Sequence, residues 1–256
     1  MHTRESLKND LEKMGLDPAG TVMIHSSMRA IGDVEDRAEG VLDAICSYFA
    51  DGLVCFPTLS WDLVDARQPV FSVRDTPATT GILPELFRRR SGVRRSLSPT
   101  HSIAAMGRDA AAFTAGHEKC DSPAPPGSPW SRLYDRNAKI LFIGCSPQSN
   151  TYLHGVEEWL PVPGMLTESR QDLVIYDEDG KRIECPMRRH VGHHSQFYDL
   201  IIPALRDAGG WAEGTFGNAR VQILDARSAG DITMAILKEY PQFFTPEFQA
   251  EHGGKN

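Results

Sequence analysis

The stretch ILFIGCSPQSNTYLHGVEEW, residues 140–159, decides how this chain is interpreted. It begins with four apolar residues, which are typical of a short buried strand, and a polar turn follows. Asn150 or Thr151 then caps a helix. On that helix His154 and Glu157 share one face, because they are three residues apart. Open α/β sheets build their sites just beyond such strands, and a histidine with a nearby carboxylate can act as a general base there, but the spacing alone favours a solvent-exposed helical pair.

The rest of the chain alternates predicted strands and helices. Strands are predicted at 21–24, 53–57, 102–106, 140–143 and 219–224, a hairpin at 173–183, helices at 6–14, 38–49, 80–90, 109–116, 198–208 and 229–239, and loops at 58–78 and 122–127. This order predicts the α/β fold class, with a mixed central β-sheet flanked by helices in a single layered domain over residues 1–256. The hairpin is expected to make the sheet mixed, and a polar tail begins at about residue 241.

Composition narrows the classes of partner. The 256 residues are 41% hydrophobic and 24% charged, as in a globular enzyme, and the net charge of −7 argues against nucleic acid as the main partner. No apolar run reaches the length of a membrane span, and the N-terminus lacks an apolar signal core. Five scattered cysteines suit reduced thiols, which predicts a cytoplasmic protein. The oligomeric state is left open, a homodimer included.

Five motifs occur in a definite order. They are HSSMRAIG (25–32), TTGILPELFRRR (79–90), SLSPTHSIAAMG (96–107), GHEKCDSPAPPGSPWSRL (116–133) and KILFIGCSPQSNTYLHGVEE (139–158). Together they make the chain, over about residues 1–235, resemble the aminoglycoside 3-N-acetyltransferase family, the coenzyme A-dependent antibiotic acetyltransferases. The resemblance implies an antibiotic acetyltransferase-like fold rather than the GNAT fold. It also implies acetyl-CoA (coenzyme A) as acyl donor and a small-molecule amine as acceptor.

The family's TxLHxxE motif falls on residues 151–157. The resemblance therefore implies that His154 is the general base and that Glu157 orients it. Glu158 points about 100° away around the helix and is expected to be structural.

A second family motif, HPxxS, is altered in this sequence. Ser98 stands in place of the family histidine, and His101 lies three residues later, so whether His101 has a catalytic role is left open. Ser102 matches the family serine. Its hydroxyl is expected to reach the thioester sulfur or the acetyl carbonyl.

Two predicted helix starts are candidate contacts to the cofactor. Their residues are Ser26, Ser27 and Arg29 at the first, and Thr79, Thr80 and Gly81 at the second. Hydroxyls and free N–H groups at a helix start hold anions, although serine there is also a common N-cap. Gly81 is expected to allow close backbone approach to the pantetheine arm. The arginines at 88–90, with Arg94 and Arg95, either complement a helix end or meet the ribose 3′-phosphate of coenzyme A.

Three loop residues are predicted to contact the amine substrate: Asp62, His117 and Asp121. A histidine cluster consists of His190, His193 and His194. It has no cysteine or carboxylate at metal-ligand spacing, so no metal is predicted, and buried or substrate-side histidines are expected instead.

The mechanism has two candidate forms. Direct transfer uses His154 as base, whereas a ping-pong enzyme would use Cys145 as the acyl-accepting nucleophile. The apolar surroundings of Cys145 favour an inert buried thiol. We therefore expect direct acetyl transfer to a primary amine, an aminoglycoside 3-amino group by family resemblance, with antibiotic resistance as its namesake role. Acetylation of a non-antibiotic amine, a metal-dependent hydrolase using the histidine cluster and a catalytically silent binding protein are the alternatives.

Overall fold

The computed structural model describes residues 1–160, 162–192 and 194–252. The strands are β1 (Thr21–Ser26), β2 (Leu53–Pro57), β3 (Val70–Ser72), β4 (Arg94–Arg95), β5 (Ile103–Gly107), β6 (Lys139–Ile143), β7 (Gln171–Tyr176), β8 (Arg182–Met187), β9 (Trp211–Phe216) and β10 (Ala219–Asp225). The helices are α1 (Arg4–Lys13), α2 (Met28–Ile31), α3 (Arg37–Tyr48), α4 (Ile82–Phe87), α5 (Ala110–Thr114), α6 (Pro129–Asp135), α7 (Thr151–Glu158), α8 (Ile202–Asp207), α9 (Ala226–Glu239) and α10 (Pro246–His252). Short 3₁₀ helices span His117–Lys119, Pro147–Ser149 and His194–Ile201.

Seven strands form the central sheet, in the order β4-β5-β2-β1-β6-β10-β9. Strand β1 pairs in parallel with β2 and β6, while β5 and β10 run antiparallel to their neighbours β2 and β6. The predicted fold class, a mixed sheet flanked by helices, is therefore confirmed. The prediction that the 173–183 hairpin makes this sheet mixed is wrong, because that hairpin, β7–β8, lies in a separate three-stranded sheet with β3.

Alternation along the strands of the central sheet separates two cores, one on each face of that sheet. On β6, Ile140 and Phe142 point to one face of the sheet, and Leu141 and Ile143 point to the other. Helices α1 and α3 cover the second face, and α6, α7 and α9 cover the first. The helix that was predicted to carry the general base is thus held against a fully buried strand layer.

Several elements differ from the prediction. The 58–78 loop contains β3, the segment after the 122–127 loop forms the unpredicted helix α6, the link between residues 208 and 219 contains β9, and the polar tail contains α10. Strand β9 was missed because its sequence, WAEGTF, has only one fully buried residue, Phe216, and so carries no apolar alternation. In α6 Pro129 occupies the first helical turn, where its missing N–H is not needed. No helix in the described residues is long and apolar enough to cross a lipid bilayer.

Candidate active site

The predicted His154 helix is present as α7, and it borders a cavity at the end of strand β6. Strand β6 ends at Gly144, whose φ of +67° turns the chain sharply and whose missing side chain leaves room for Ala30. A 3₁₀ turn follows, and α7 begins after Asn150. The cavity has a volume of about 520 Å³. His154 lies in its wall with 21% of its side chain exposed.

Glu157 is the centre of a buried hydrogen-bond network. Its Oε1 accepts a hydrogen bond from Nδ1 of His194 at 2.6 Å, and its Oε2 accepts one from the Tyr198 hydroxyl. The Tyr198 oxygen in turn lies 2.6 Å from Nδ1 of His154. The direct distance from that nitrogen to Glu157 Oε2 is 3.6 Å, so the predicted pair is bridged by a tyrosine hydroxyl.

This network keeps the carboxylate ionised. Burial alone would raise the pKa of Glu157, but its interactions with His154 and His194 outweigh burial and lower the pKa to about 2. A permanent negative charge therefore lies beneath the His154 ring.

The same hydrogen bonds assign the tautomer of His154. Tyr198 has a single hydroxyl proton, which it donates to Glu157. The hydrogen bond between Tyr198 and His154 must therefore be donated by Nδ1–H of the histidine. In the neutral ring this leaves a lone pair on Nε2, an atom with no hydrogen-bond partner among the described residues. This is the form that a general base requires.

Glu158 forms a second buried carboxylate–histidine pair. It accepts hydrogen bonds from the Ser122 hydroxyl at 2.6 Å and from the Ala124 N–H at 2.8 Å, and it contacts Nε2 of His190. Burial raises the pKa of Glu158 to about 7. The expectation that Glu158 is structural agrees with these contacts to the proline-rich loop.

His190 connects the pair to the other cavity histidines. Its ring stacks on His154 with centroids 4.9 Å apart, and its face meets the edge of His101 at 4.8 Å. Burial is the main reason that the pKa values of His101 and His190 lie well below the usual value, so both rings are neutral. Both line the cavity.

The sequence analysis expected His190 and His194 to be buried or on the substrate side but did not assign them to this site, and it missed Tyr198. The histidine cluster was the available signal for the first two, and nothing in the sequence links Tyr198 to His154, which is 44 positions away. His193 lies outside the described residues.

Ser102 is buried away from the cavity. Its hydroxyl donates to the Thr58 carbonyl at 2.7 Å and accepts from Nε of Arg95 at 3.0 Å. The prediction that this hydroxyl reaches the thioester is corrected, because it instead fastens the start of the 58–78 segment to β5. His101, by contrast, lines the cavity, and Ser98 Oγ accepts from its backbone N–H at 3.2 Å.

The structure places two of the six predicted cofactor residues in the cavity lining and four outside it. Ser26 and Thr80 line the cavity, whereas Ser27, Arg29, Thr79 and Gly81 do not. The Thr79 hydroxyl lies within hydrogen-bond distance of the Leu59 carbonyl and Asp62. Gly81 has open space where a side chain would be, so the reason for glycine there is its φ of +113° and not crowding.

The three predicted substrate residues also lie outside the cavity lining. Asp62 accepts from the Thr79 hydroxyl at 2.8 Å, and Asp121 forms ion pairs with Arg170 and Arg188. His117 is buried. Its Nδ1 lies 2.9 Å from the Ser96 hydroxyl and its Nε2 lies 2.9 Å from the Pro123 carbonyl, so it ties two loops together. The cavity walls include instead two residues that were not predicted, Trp61 and Arg189.

The basic run is largely paired within the chain. Arg88 and Arg89 bind Glu85, Arg90 binds Glu39 and Asp43, and Arg94 binds Glu178. Arg95 makes no such pair with any residue that the structure describes. For the histidine cluster, His190 and His194 each face a glutamate, and the described residues contain no group of three or more metal-ligating side chains arranged around one point.

Comparison with known proteins agrees with this architecture. The model of the family described as Aminoglycoside 3-N-acetyltransferase matches residues 23–238. Aminoglycoside N(3)-acetyltransferase VII of Streptomyces paromomycinus is 30% identical over 267 residues, which cover 93% of this chain and 92% of that protein. The chain belongs to this family. It is therefore an acetyl-CoA-dependent N-acetyltransferase.

Solved structures show the same fold as this acetyltransferase. The crystal structure of aminoglycoside acetyltransferase AAC(3)-Xa has a TM-score of 0.81 at 28% identity, with 93% of each chain covered. The complex of AAC-IIIb with CoASH has a TM-score of 0.81 at 24% identity and covers 93% of this chain and 96% of that one.

Proposed function

We propose that this N-acetyltransferase moves the acetyl group of acetyl-CoA directly to the 3-amino group of an aminoglycoside, with His154 as general base. The observation that carries the proposal is the hydrogen bond between Nδ1 of His154 and Tyr198, because in the neutral ring it places the proton on Nδ1 and the lone pair on Nε2, at the cavity wall. The name of the Streptomyces paromomycinus relative supports the acceptor.

The surroundings of His154 suit it to accept a proton from the amine during the reaction. An amine is mostly protonated at neutral pH and must lose a proton before it can attack an acyl carbon. When Nε2 of His154 takes that proton, the ring becomes a cation. Glu157, ionised and linked through Tyr198, stabilises this charge in a site shielded from water.

The cavity wall suits the donor molecule. Nε2 of His25 and Oγ of Ser26 are buried polar atoms with no partner among the described residues, and both residues line the cavity. Burial lowers the pKa of His25 to about 3, so its ring is neutral and can exchange a hydrogen bond with an amide or carbonyl group. Pro57, Leu59 and Pro84 supply apolar surface beside them. When bound there, acetyl-CoA would supply an activated acyl group, while His25 and Ser26 would hold its pantetheine arm.

Direct transfer is favoured over a ping-pong route. Cys145 borders the cavity, but burial raises the pKa of its thiol to about 12. A thiol held so firmly in its protonated form is a poor nucleophile. We therefore assign Cys145 a packing role.

Among the described residues no geometry favours the metal-dependent hydrolase, because His190 and His194 each contact a glutamate. A cytoplasmic location belongs to the same proposal, supported by five cysteines that are all free thiols. The acidic net charge of −7 suits a polycationic acceptor.

A panel of acceptors tests the proposal. The purified protein would be given acetyl-CoA with several aminoglycosides, with aminoglycosides already acetylated at the 3-amino group and with simple diamines, and thiol release would be followed. We expect turnover only with a free 3-amino group, and NMR of the product should place the acetyl group there. Turnover restricted to the diamines would favour the alternative of a non-antibiotic amine. No thiol release with any acceptor would favour a silent binding protein.

A further inference from the structure

A second cavity, separate from the active site, lies beside edge strand β4. Its volume is about 310 Å³, and it shares no lining residue with the active-site cavity. Four arginines from three segments line it: Arg74 after β3, Arg88 and Arg89 at the end of α4, and Arg95 in β4. We call it the arginine cavity.

Two of these guanidinium groups are buried next to each other. Arg95 donates to the carbonyl oxygens of Thr58 and Thr76 at 2.9 and 2.6 Å, and it lies over the Phe71 ring at 4.8 Å. All of its partners among the described residues are neutral. Burial, and then the charge of Arg88, lower the pKa of Arg95 to about 9. A buried cation without a counter-charge is costly to the fold.

The carboxylates near Arg95 are already paired with other arginines. Glu85 binds Arg88 through both oxygens at 2.6 and 2.8 Å, and it also binds Arg89 at 2.5 Å. Glu178 lines the arginine cavity but pairs with Arg94 at 2.9 Å.

Arg74 completes the cavity wall. Its neighbour Asp75 accepts from the Ser72 hydroxyl at 2.7 Å. The Arg74 guanidinium is exposed and makes no ion pair with a described residue. The cavity therefore carries surplus positive charge in a chain whose net charge is −7.

We propose that the arginine cavity binds a phosphate group. The planar forks of guanidinium groups match phosphate oxygens in pairs, and a cavity of this volume admits a tetrahedral oxyanion. The bound anion supplies the counter-charge that Arg95 lacks, and it draws Arg74 onto the β4 edge. The group comes either from free inorganic phosphate or from a phosphate ester such as the 3′-phosphate of coenzyme A.

Titration of the whole chain with sodium phosphate tests this site. Calorimetry and thermal unfolding would be compared with sodium chloride at equal ionic strength. We expect a saturable rise in Tm with phosphate alone. Arg74→Gln should weaken phosphate binding at least tenfold, as expected for loss of a charged hydrogen-bond donor. Lys238→Gln, which removes an exposed positive charge from the end of α9, should leave it unchanged.

Two results would overturn the proposal. One is an equal effect of chloride and phosphate on Tm. The other is unchanged phosphate affinity in an Arg74→Gln protein whose circular dichroism matches that of the wild type.

Two further titrations identify the source of the phosphate. If it is free phosphate, the rise in Tm persists with saturating coenzyme A, and coenzyme A and dephospho-coenzyme A bind equally well. If it is the cofactor's own ester, phosphate competes with coenzyme A, and dephospho-coenzyme A binds more weakly to the wild type but not to Arg74→Gln. These measurements need no turnover, so their outcome is independent of the proposed acetyl transfer.

Discussion

The Tyr198 hydroxyl lies 2.6 Å from Nδ1 of His154, and this short contact sets which nitrogen of the imidazole carries the proton. Because the tyrosine gives its own proton to Glu157, it can only accept from the histidine. A chain of two hydrogen bonds thus connects a buried carboxylate to the ring that faces the cavity.

Removing the base should abolish most of the activity. We expect His154→Ala to lower kcat by about 10²–10⁴-fold, as for the loss of general-base catalysis, with coenzyme A affinity changed by less than about threefold. Steady-state kinetics and calorimetry measure the two quantities. Near-normal turnover would assign the base to another residue, and His101 would be the next to replace.

Removing the bridge should also slow the reaction. Tyr198→Phe is expected to lower kcat by about tenfold or more, because the imidazole is no longer oriented and its cation is less well stabilised. Tyr152→Phe is the matched control: Tyr152 is buried on α7 and donates to the Ala226 carbonyl at 2.7 Å. The Tyr152→Phe variant should lose about 0.5–1.5 kcal/mol of unfolding free energy but keep the wild-type kcat. Equal kcat losses in both variants would show that Tyr198 is only structural.

The thiol near the base should be dispensable. Cys145→Ser is expected to retain most of the wild-type kcat, since burial keeps the native thiol protonated. Mass spectrometry of the wild type after incubation with acetyl-CoA alone should show no added acetyl group. A stable acetyl adduct that is absent from Cys145→Ser would establish the ping-pong route.

Two adjacent serines should differ in their effect on the cofactor. Ser26 lines the cavity with an unpartnered hydroxyl, whereas Ser27 lies outside the lining and makes no side-chain capping bond. We expect Ser26→Ala to weaken coenzyme A binding by about three- to tenfold, the equivalent of one hydrogen bond, and Ser27→Ala to leave it unchanged. Isothermal titration decides between this result and the reverse order, which would move the pantetheine contact to Ser27.

Stability should fall in mild acid because of a buried histidine. Burial lowers the pKa of His117 to about 4, below the unfolded value of 6.5, so the unfolded chain binds the proton first. The stabilisation is present above pH 6.5 and is lost as the pH falls towards 4. His117→Gln should shrink the difference in unfolding free energy between pH 7 and 4.5 by about 2 kcal/mol.

Urea unfolding at the two pH values measures this difference. The exposed His252 serves as control, and His252→Gln should unfold with the wild-type pH dependence. An unaltered slope in His117→Gln would show that other groups cause the acid sensitivity.

Local sequence patterns predicted many of the strands and helices of this fold. The arrangement of the site depends on contacts between residues that are distant in the sequence, which those patterns do not show. The strand at 140–143 and the helix carrying His154 could be read from four apolar residues and a capped turn. Ser102 was misplaced because its environment depends on Arg95 and Thr58, which reach it from two other elements. His117 looked like a loop residue available to substrate, but its two ring nitrogens are satisfied by partners that only the folded chain brings together.

The adjacent carboxylates Glu157 and Glu158 fix the orientation of α7, which carries His154. Each carboxylate is anchored to a different part of the chain, so α7 cannot rotate about its axis without breaking buried hydrogen bonds on both sides. The cavity lining also includes Trp61, whose side chain is half exposed and whose carbonyl oxygen accepts a hydrogen bond from Arg189. We therefore expect substitution of Trp61 to change which acceptors fit the cavity while leaving the position of His154 on α7 unchanged.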